Sequence, residues 1–234
     1  MILLLMMKSR IKVDWELPAH VRAFQSDASL KIYTNSTYVQ SKDFFEFTNR
    51  QFSLVNQVHS NKVYQIYNND HHLTCDAIFT YEPNVIVAVR AADCIPVLLS
   101  NKKGSFVAAI HCGWRGLSTG IIHETLKRIK TNCEEVVAWI GPGISQKYFE
   151  TDRDVYDLFM KKYNFLGKYF RYQNNKFNVD LVGITASLLK FHGVHNIYGN
   201  SISQNYCTFR DNFLFSHRQN KTPFRLISLA WINA

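Results

Sequence analysis

The amino-acid sequence predicts an α/β protein: a single layered domain over residues 1–234, with helices covering a mixed β-sheet. Three observations carry that expectation. Short Val-, Ile- and Ala-rich runs crowd the middle of the chain, and strands so continuously apolar must be buried on both faces. Three later stretches have helical spacing. Several strands also follow one another with no helix between them, which a purely parallel sheet does not allow.

The elements are read in order as follows. The opening MILLLMMKSR is apolar and then basic, the reverse of a secretory leader, and reads as a first strand or edge segment. FSLVNQVH, from Phe52 to His59, and KVYQIY, from Lys62 to Tyr67, read as two strands around a polar turn. CDAIFT, VIVAVRAADC, IPVLLS and SFVAAIHC follow, punctuated by the turns PN and NKKG. Leu117 to Lys130 spaces Ile121, Ile122, Leu126 and Ile129 along one helical face and ends in basic residues, where the helix dipole favours them. VVAWI is a strand that runs into the loop GPG at Gly141–Gly143. Asp154 to Tyr163 and Val179 to Phe191 are helices, and HNIYG and RLISLAWI are late strands.

Composition narrows the classes. Hydrophobic residues make up 47% and aromatics 14%, enough to build a large core. The apolar runs are far shorter than the ~20 residues a bilayer requires, so no membrane partner is expected. Five scattered cysteines, Cys75, Cys94, Cys112, Cys133 and Cys207, form no CxxC pair; a reducing cytoplasm is expected rather than a disulfide framework or zinc ribbon. The net charge of +9 favours anionic ligands. Its densest cluster, Lys161 to Lys176, reads as a solvated helix end and loop. No nucleic-acid signature accompanies it.

Three residues stand at strand ends: His59, Cys94 and His111, separated by 35 and 17 positions. Ligands gather at the ends of strands in layered α/β proteins. Two imidazoles and a thiolate suit Zn²⁺, with a fourth coordination place left open. The same residues allow a buried, inert Cys94 beside two hydrogen-bonded histidines, or a Cys94 nucleophile with His111 as base. Successive strand side chains face opposite ways, so His111 and Cys112 cannot both serve one site; Cys112 is assigned to the core. In HCGWRG, Gly113 and Gly116 permit close backbone approach, and Arg115 at the start of a helix either offers a planar fork to phosphate or carboxylate or is a surface residue of a tight strand-to-helix turn.

These segments resemble the laccase-domain family of purine nucleoside phosphorylases, whose members are also called polyphenol oxidases, multicopper-oxidase-like proteins and peptidoglycan editing factors. NQVHS at Asn56–Ser60, DAIFTYEPNVIVAVRAADCIPVLL at Asp76–Leu99, HCGWRG at His111–Gly116, GPGISQKYFETD at Gly141–Asp152 and the closing Cys207–Trp231 segment match its motifs in order. The resemblance implies that His59, Cys94 and His111 bind a catalytic zinc. It implies phosphorolysis of purine nucleosides, chiefly adenosine, with inosine, guanosine and methylthioadenosine as further substrates and adenosine deamination alongside. Arg115 and Arg218 are then assigned to phosphate, Asn56, Gln57 or Asp93 to base or ribose, and Asp93 equally to a proton shuttle or to a turn that bonds the backbone before Cys94. A nucleoside, phosphate and at most a weak homodimer are the expected partners.

Departures from the family pattern are Asp27 where an arginine is expected, Ser60 for a glycine, Gln146 and Lys147 for a cysteine pair, and His217 for an aromatic. The competing chemistries are a copper-dependent phenol oxidase and a hydrolase of cell-wall peptides using Cys94 and His111. Multicopper sites need many paired histidines, and only His71 and His72 are adjacent here.

Overall fold

The computed structural model describes residues 9–37, 39, 51–200 and 202–234. Among these, thirteen strands and five α-helices are formed. The strands are β1 Val21–Gln25, β2 Ile32–Tyr33, β3 Val63–Gln65, β4 Ala77–Thr80, β5 Val87–Ala91, β6 Ile95–Asn101, β7 Val107–Cys112, β8 Val136–Ile140, β9 Glu150–Thr151, β10 Phe170–Gln173, β11 Lys176–Val179, β12 Asn196–Gly199 and β13 Phe224–Ile232. The helices are α1 Trp114–Thr119, α2 Ile121–Ile129, α3 Arg153–Lys162, α4 Leu181–Phe191 and α5 His217–Asn220.

The expected mixed sheet is present. Its six strands run in the order β12-β8-β6-β7-β4-β3, parallel at the two outer pairs and antiparallel within. Helices cover one face. Ile95, Val97 and Leu99 of β6 pack there with Ile121, Ile122 and Leu126 of α2 and with Leu188 and Leu189 of α4. The other face meets a second sheet, in which β13 pairs β1, β2 and β5, all antiparallel. Leu98, Val107 and Ala109 pack against Val87, Val89, Leu226 and Ala230 of that sheet. The central strands are thus apolar on both sides for two reasons, a helical layer and a sheet layer. A third sheet, β10-β11-β9, edges the helical layer.

Several elements differ from the expectations. Phe52–His59 is not a strand: among the described residues it makes isolated bridges alone, Asn56↔Thr74 being one. The backbone N–H groups of Val58, His59 and Ser60 go instead to the side chain of Asp76, so a ladder has nothing left to use there. The helix expected over Leu117–Lys130 is two helices. Gly120, at φ 97°, caps α1 through its N–H to the carbonyls of Gly116 and Leu117 and opens α2. The last helix begins two residues late because Val179 belongs to β11 and Asp180 caps α4 by accepting from the Gly183 N–H at 2.8 Å. The basic segment Lys161–Lys176, read as helix end and loop, carries a 3₁₀ helix and most of the β10–β11 hairpin, whose Leu166 and Phe170 are buried. The apolar opening read as a first strand falls on residues 1–8, outside the described residues.

Leu98 sits between the two sheets with no exposed surface. Leu98→Ala is expected to destabilise the protein by about 2–5 kcal/mol, read from the denaturant midpoint at unchanged slope.

Candidate functional site

Three neighbouring strands of the mixed sheet bring chemistry to one end. Ile95 at the start of β6 lies opposite Cys112 of β7, and Ala77 at the start of β4 lies opposite Ile110. Cys94, His111 and Asp76 are therefore gathered by register alone. His59 arrives on the loop that leads to β3, which runs parallel to β4. One ligand atom from each of His59, Cys94 and His111 lies within 4.8 Å of the other two. The Cys94 sulfur is 3.8 Å from His59 Nε2, and the two imidazole rings meet edge to face with centroids 4.9 Å apart. Strand alternation separates His111 from its neighbour: Cys112 packs among the helices, while His111 faces the cleft.

Asp76 organises this group and is fully buried. Its Oδ1 accepts from His111 Nδ1 at 2.9 Å and from the His59 N–H at 3.0 Å. Its Oδ2 accepts from the N–H groups of Val58 and Ser60 at 3.3 and 2.6 Å, and from the Ser60 hydroxyl at 2.8 Å. With Nδ1 engaged, His111 presents Nε2 to the ligand group. The loop is held so firmly that His59 adopts φ 59°. Gly113 completes the close fit: a Cβ there would stand 2.8 Å from the His59 ring and 3.2 Å from the Cys94 sulfur.

The charges of these groups act on one another. Burial alone would raise the Asp76 pKa, but the His111 contact and the Ser60 donors bring it below the usual carboxylate value. Burial would also raise Cys94, yet the facing imidazoles of His111 and His59 lower it to about 6. His111 is pushed the other way: burial lowers it, but the Cys94 thiolate and Asp76 raise it to about 9. Cys112, buried and near the charges of Cys94 and Asp76, is raised well above its ordinary value. Of the two neighbouring thiols, only Cys94 is lowered.

The group opens into a cleft of ≈ 340 Å³ lined by Trp114 and Phe149, by Asn56, Gln57 and Asp93, and by four arginines. Arg115 lies over the Trp114 ring at 4.2 Å and is exposed. Arg218 lies over the Phe149 ring at 5.2 Å and donates from Nη1 to the Glu150 carbonyl at 3.1 Å. Asn56 is exposed, its amide only 3.4 Å from the Thr74 hydroxyl. The Gln57 amide is already engaged, donating to the Arg90 carbonyl at 2.7 Å and accepting the Arg90 N–H at 2.8 Å. Asp93, at φ 93°, accepts from the Thr208 hydroxyl and from the Arg218 N–H, both at 2.6 Å.

Asp27 does not line the cleft; its carboxylate is turned to Ser29 and to the Arg10 N–H. Sequence reasoning passed over Asp76, Arg90 and Arg225. A charge inside the apolar run VIVAVRAADC was the available signal for Arg90, which is 7% exposed and donates to the carbonyls of Tyr33, Thr34, Ser36 and Val55. Burial, and then the nearby Arg225, lower its pKa to about 10.

Comparison with known proteins identifies the family. The family described as multi-copper polyphenol oxidoreductase laccase matches residues 19–233. The chain is 31% identical to a purine nucleoside phosphorylase of Haemophilus influenzae, with 94% of this chain and 98% of that one covered. It is 35% identical to the purine nucleoside phosphorylase YfiH of Escherichia coli over 67% of this chain and 63% of that one. A Neisseria meningitidis crystal structure superposes with a TM-score of 0.83 at 27% identity, covering 96% and 99% of the two chains. A Bacillus licheniformis structure, at 20% identity and a TM-score of 0.79 over 91% and 93%, shares the fold. By its motifs, its fold and the span of these matches, the chain belongs to the multi-copper polyphenol oxidoreductase laccase family.

Proposed function

We propose that this chain is a zinc-dependent purine nucleoside phosphorylase acting first on adenosine, with inosine, guanosine and methylthioadenosine as further substrates and adenosine deamination as a side activity. The observation that carries the reading is the meeting of His59, Cys94 and His111 at the floor of an arginine-lined cleft. The names of the Haemophilus and Escherichia relatives support it. The chain's five free cysteines accord with the cytoplasm as its compartment.

The donor set fits zinc. Two imidazoles and a thiolate are a borderline-soft combination, and three protein ligands leave one place for a substrate atom or water. Asp76 supplies the carboxylate behind a ligating histidine that such centres use to fix the tautomer. When bound, the ion would supply Lewis acidity at its open place.

Phosphorolysis forms a bond between a phosphate oxygen and the anomeric carbon and breaks the glycosidic C–N bond. The electron pair leaves on the purine, which takes up a proton. Positive charge grows on the sugar and negative charge on the base. Arg115 and Arg218 would draw phosphate into the cleft and help position it electrostatically. Trp114 and Phe149 offer flat apolar walls to a purine. Asn56, with its amide largely free, is the better placed of the two amides to bond base or ribose, since Gln57 is committed to Arg90. Asp93 is retained as the shuttle candidate; its two hydrogen bonds leave room for a third at the cleft.

One observation favours a second reading. Cys94, His111 and Asp76 also have the order of a nucleophile, its base and the group that orients the base. A hydrolase built on them would be stopped by thiol alkylation and indifferent to chelation.

Three outcomes are expected. Zinc-loaded protein should release adenine and ribose 1-phosphate from adenosine only when phosphate is present, with inosine marking deamination; chromatography that finds neither product overturns the assignment. Asp76→Asn should weaken zinc binding by roughly 10–100-fold in a competitive chelator titration. Gly113→Ala, which drives a methyl against the His59 ring and the Cys94 sulfur, should lower zinc affinity by a similar factor, and an unchanged value would show that the close fit is not required.

A further inference from the structure

The four arginines of the cleft are not equivalent. Among the described residues none of Arg90, Arg115, Arg218 and Arg225 forms an ion pair with a carboxylate. Arg90 is spent: its guanidinium is divided among four backbone carbonyls, and it serves as a strut between β5 and the loop after β2. Arg115 is an exposed residue stacked on Trp114 at the rim. Arg218 is also exposed, and is tethered through Glu150 and Phe149.

Arg225 is different. It stands one residue before Leu226, which pairs with Ala91 of β5, so it lies beside the point where the chain turns into Asp93 and Cys94. It is half-buried and lines the cleft. Nη1 donates to the carbonyls of Thr222 and Phe224 at 2.7 and 2.8 Å, which fixes one arm of the fork. Burial depresses its pKa, while the negative charges of Cys94 and Asp93 oppose that shift. Among the described residues Nε and Nη2 of Arg225 have no hydrogen-bond partner, so the second arm of the fork is left for a ligand in the cleft. A guanidinium with one arm fixed on backbone carbonyls and the other unengaged is pre-organised to take an oxyanion bidentately.

We propose that Arg225 is the principal phosphate-binding residue of the cleft, holding the attacking dianion beside the His59–Cys94–His111 group while Arg115 and Arg218 act at the rim. The inference deepens the phosphorylase reading and rests on it for the identity of the anion. The fork geometry matters as well as the charge: a guanidinium binds two phosphate oxygens at once, and lysine does not reproduce this.

Arg225→Met and Arg225→Lys test this in the zinc-loaded full chain. With adenosine as substrate, the Met variant should raise the KM for phosphate by about tenfold or more while the KM for adenosine changes by less than about threefold; the Lys variant should fall between. Equal shifts in both constants, or no shift in either, overturn the proposal. Titration calorimetry with inorganic phosphate alone separates this from the phosphorylase reading. If wild type turns over no nucleoside yet binds phosphate, and both variants bind it more weakly, Arg225 stands as an anion site and the reaction assignment falls. If wild type and variants bind phosphate equally, Arg225 has no such part. Should the Met variant fail to fold by circular dichroism, the Lys variant is held to the same two criteria.

Discussion

One buried carboxylate underlies the site. Asp76 gathers five donors from two places in the chain: three successive backbone N–H groups, a hydroxyl, and the imidazole of His111. No strand pairing would hold Val58–Ser60 in a turn with His59 left-handed, and no packing contact would choose which nitrogen His111 turns outward. A single charged group does both, and its desolvation is compensated by the number and quality of its hydrogen bonds. The placement of His59 and His111 follows from that exchange.

Much of the fold could be read from the sequence because the central strands are apolar on both faces, a pattern that only covering layers explain. The nature of one layer could not. Val87, Val89, Leu226 and Ala230 look the same whether they face helices or another sheet, and the structure shows a sheet. The broken helix at Gly120 was hidden because Ile121, Ile122, Leu126 and Ile129 keep helical spacing on their own side of the break. Phe52–His59 failed as a strand because its apolar pattern described packing of Phe52, Leu54 and Val55, while its N–H groups are shared among three loop carbonyls, those of Asn69, Thr37 and Leu73, and the side chain of Asp76.

The site was legible where residue type is rare and position is terminal: Cys94 and His111 stand out at strand ends, and His59 at the end of an apolar run that only read as a strand. Asp76 did not, because an aspartate before a strand ordinarily reads as a turn former. Arg225 was concealed at the head of the longest late strand. The +9 charge looked dispersed along the chain, yet four of its cations converge on one cleft once β5 and β13 pair.

Gln57 reaches across to Arg90 and exchanges both of its amide hydrogen bonds with that residue's backbone, as a neighbouring strand would. The side of β5 away from β13 is therefore plugged at this point by a side chain, so an intruding peptide would find its docking groups there already taken. The same clasp fastens the loop bearing His59 to the strand that leads into Cys94. His59 and Cys94, far apart in the chain, are thereby tied through a single side chain as well as through the cleft they share.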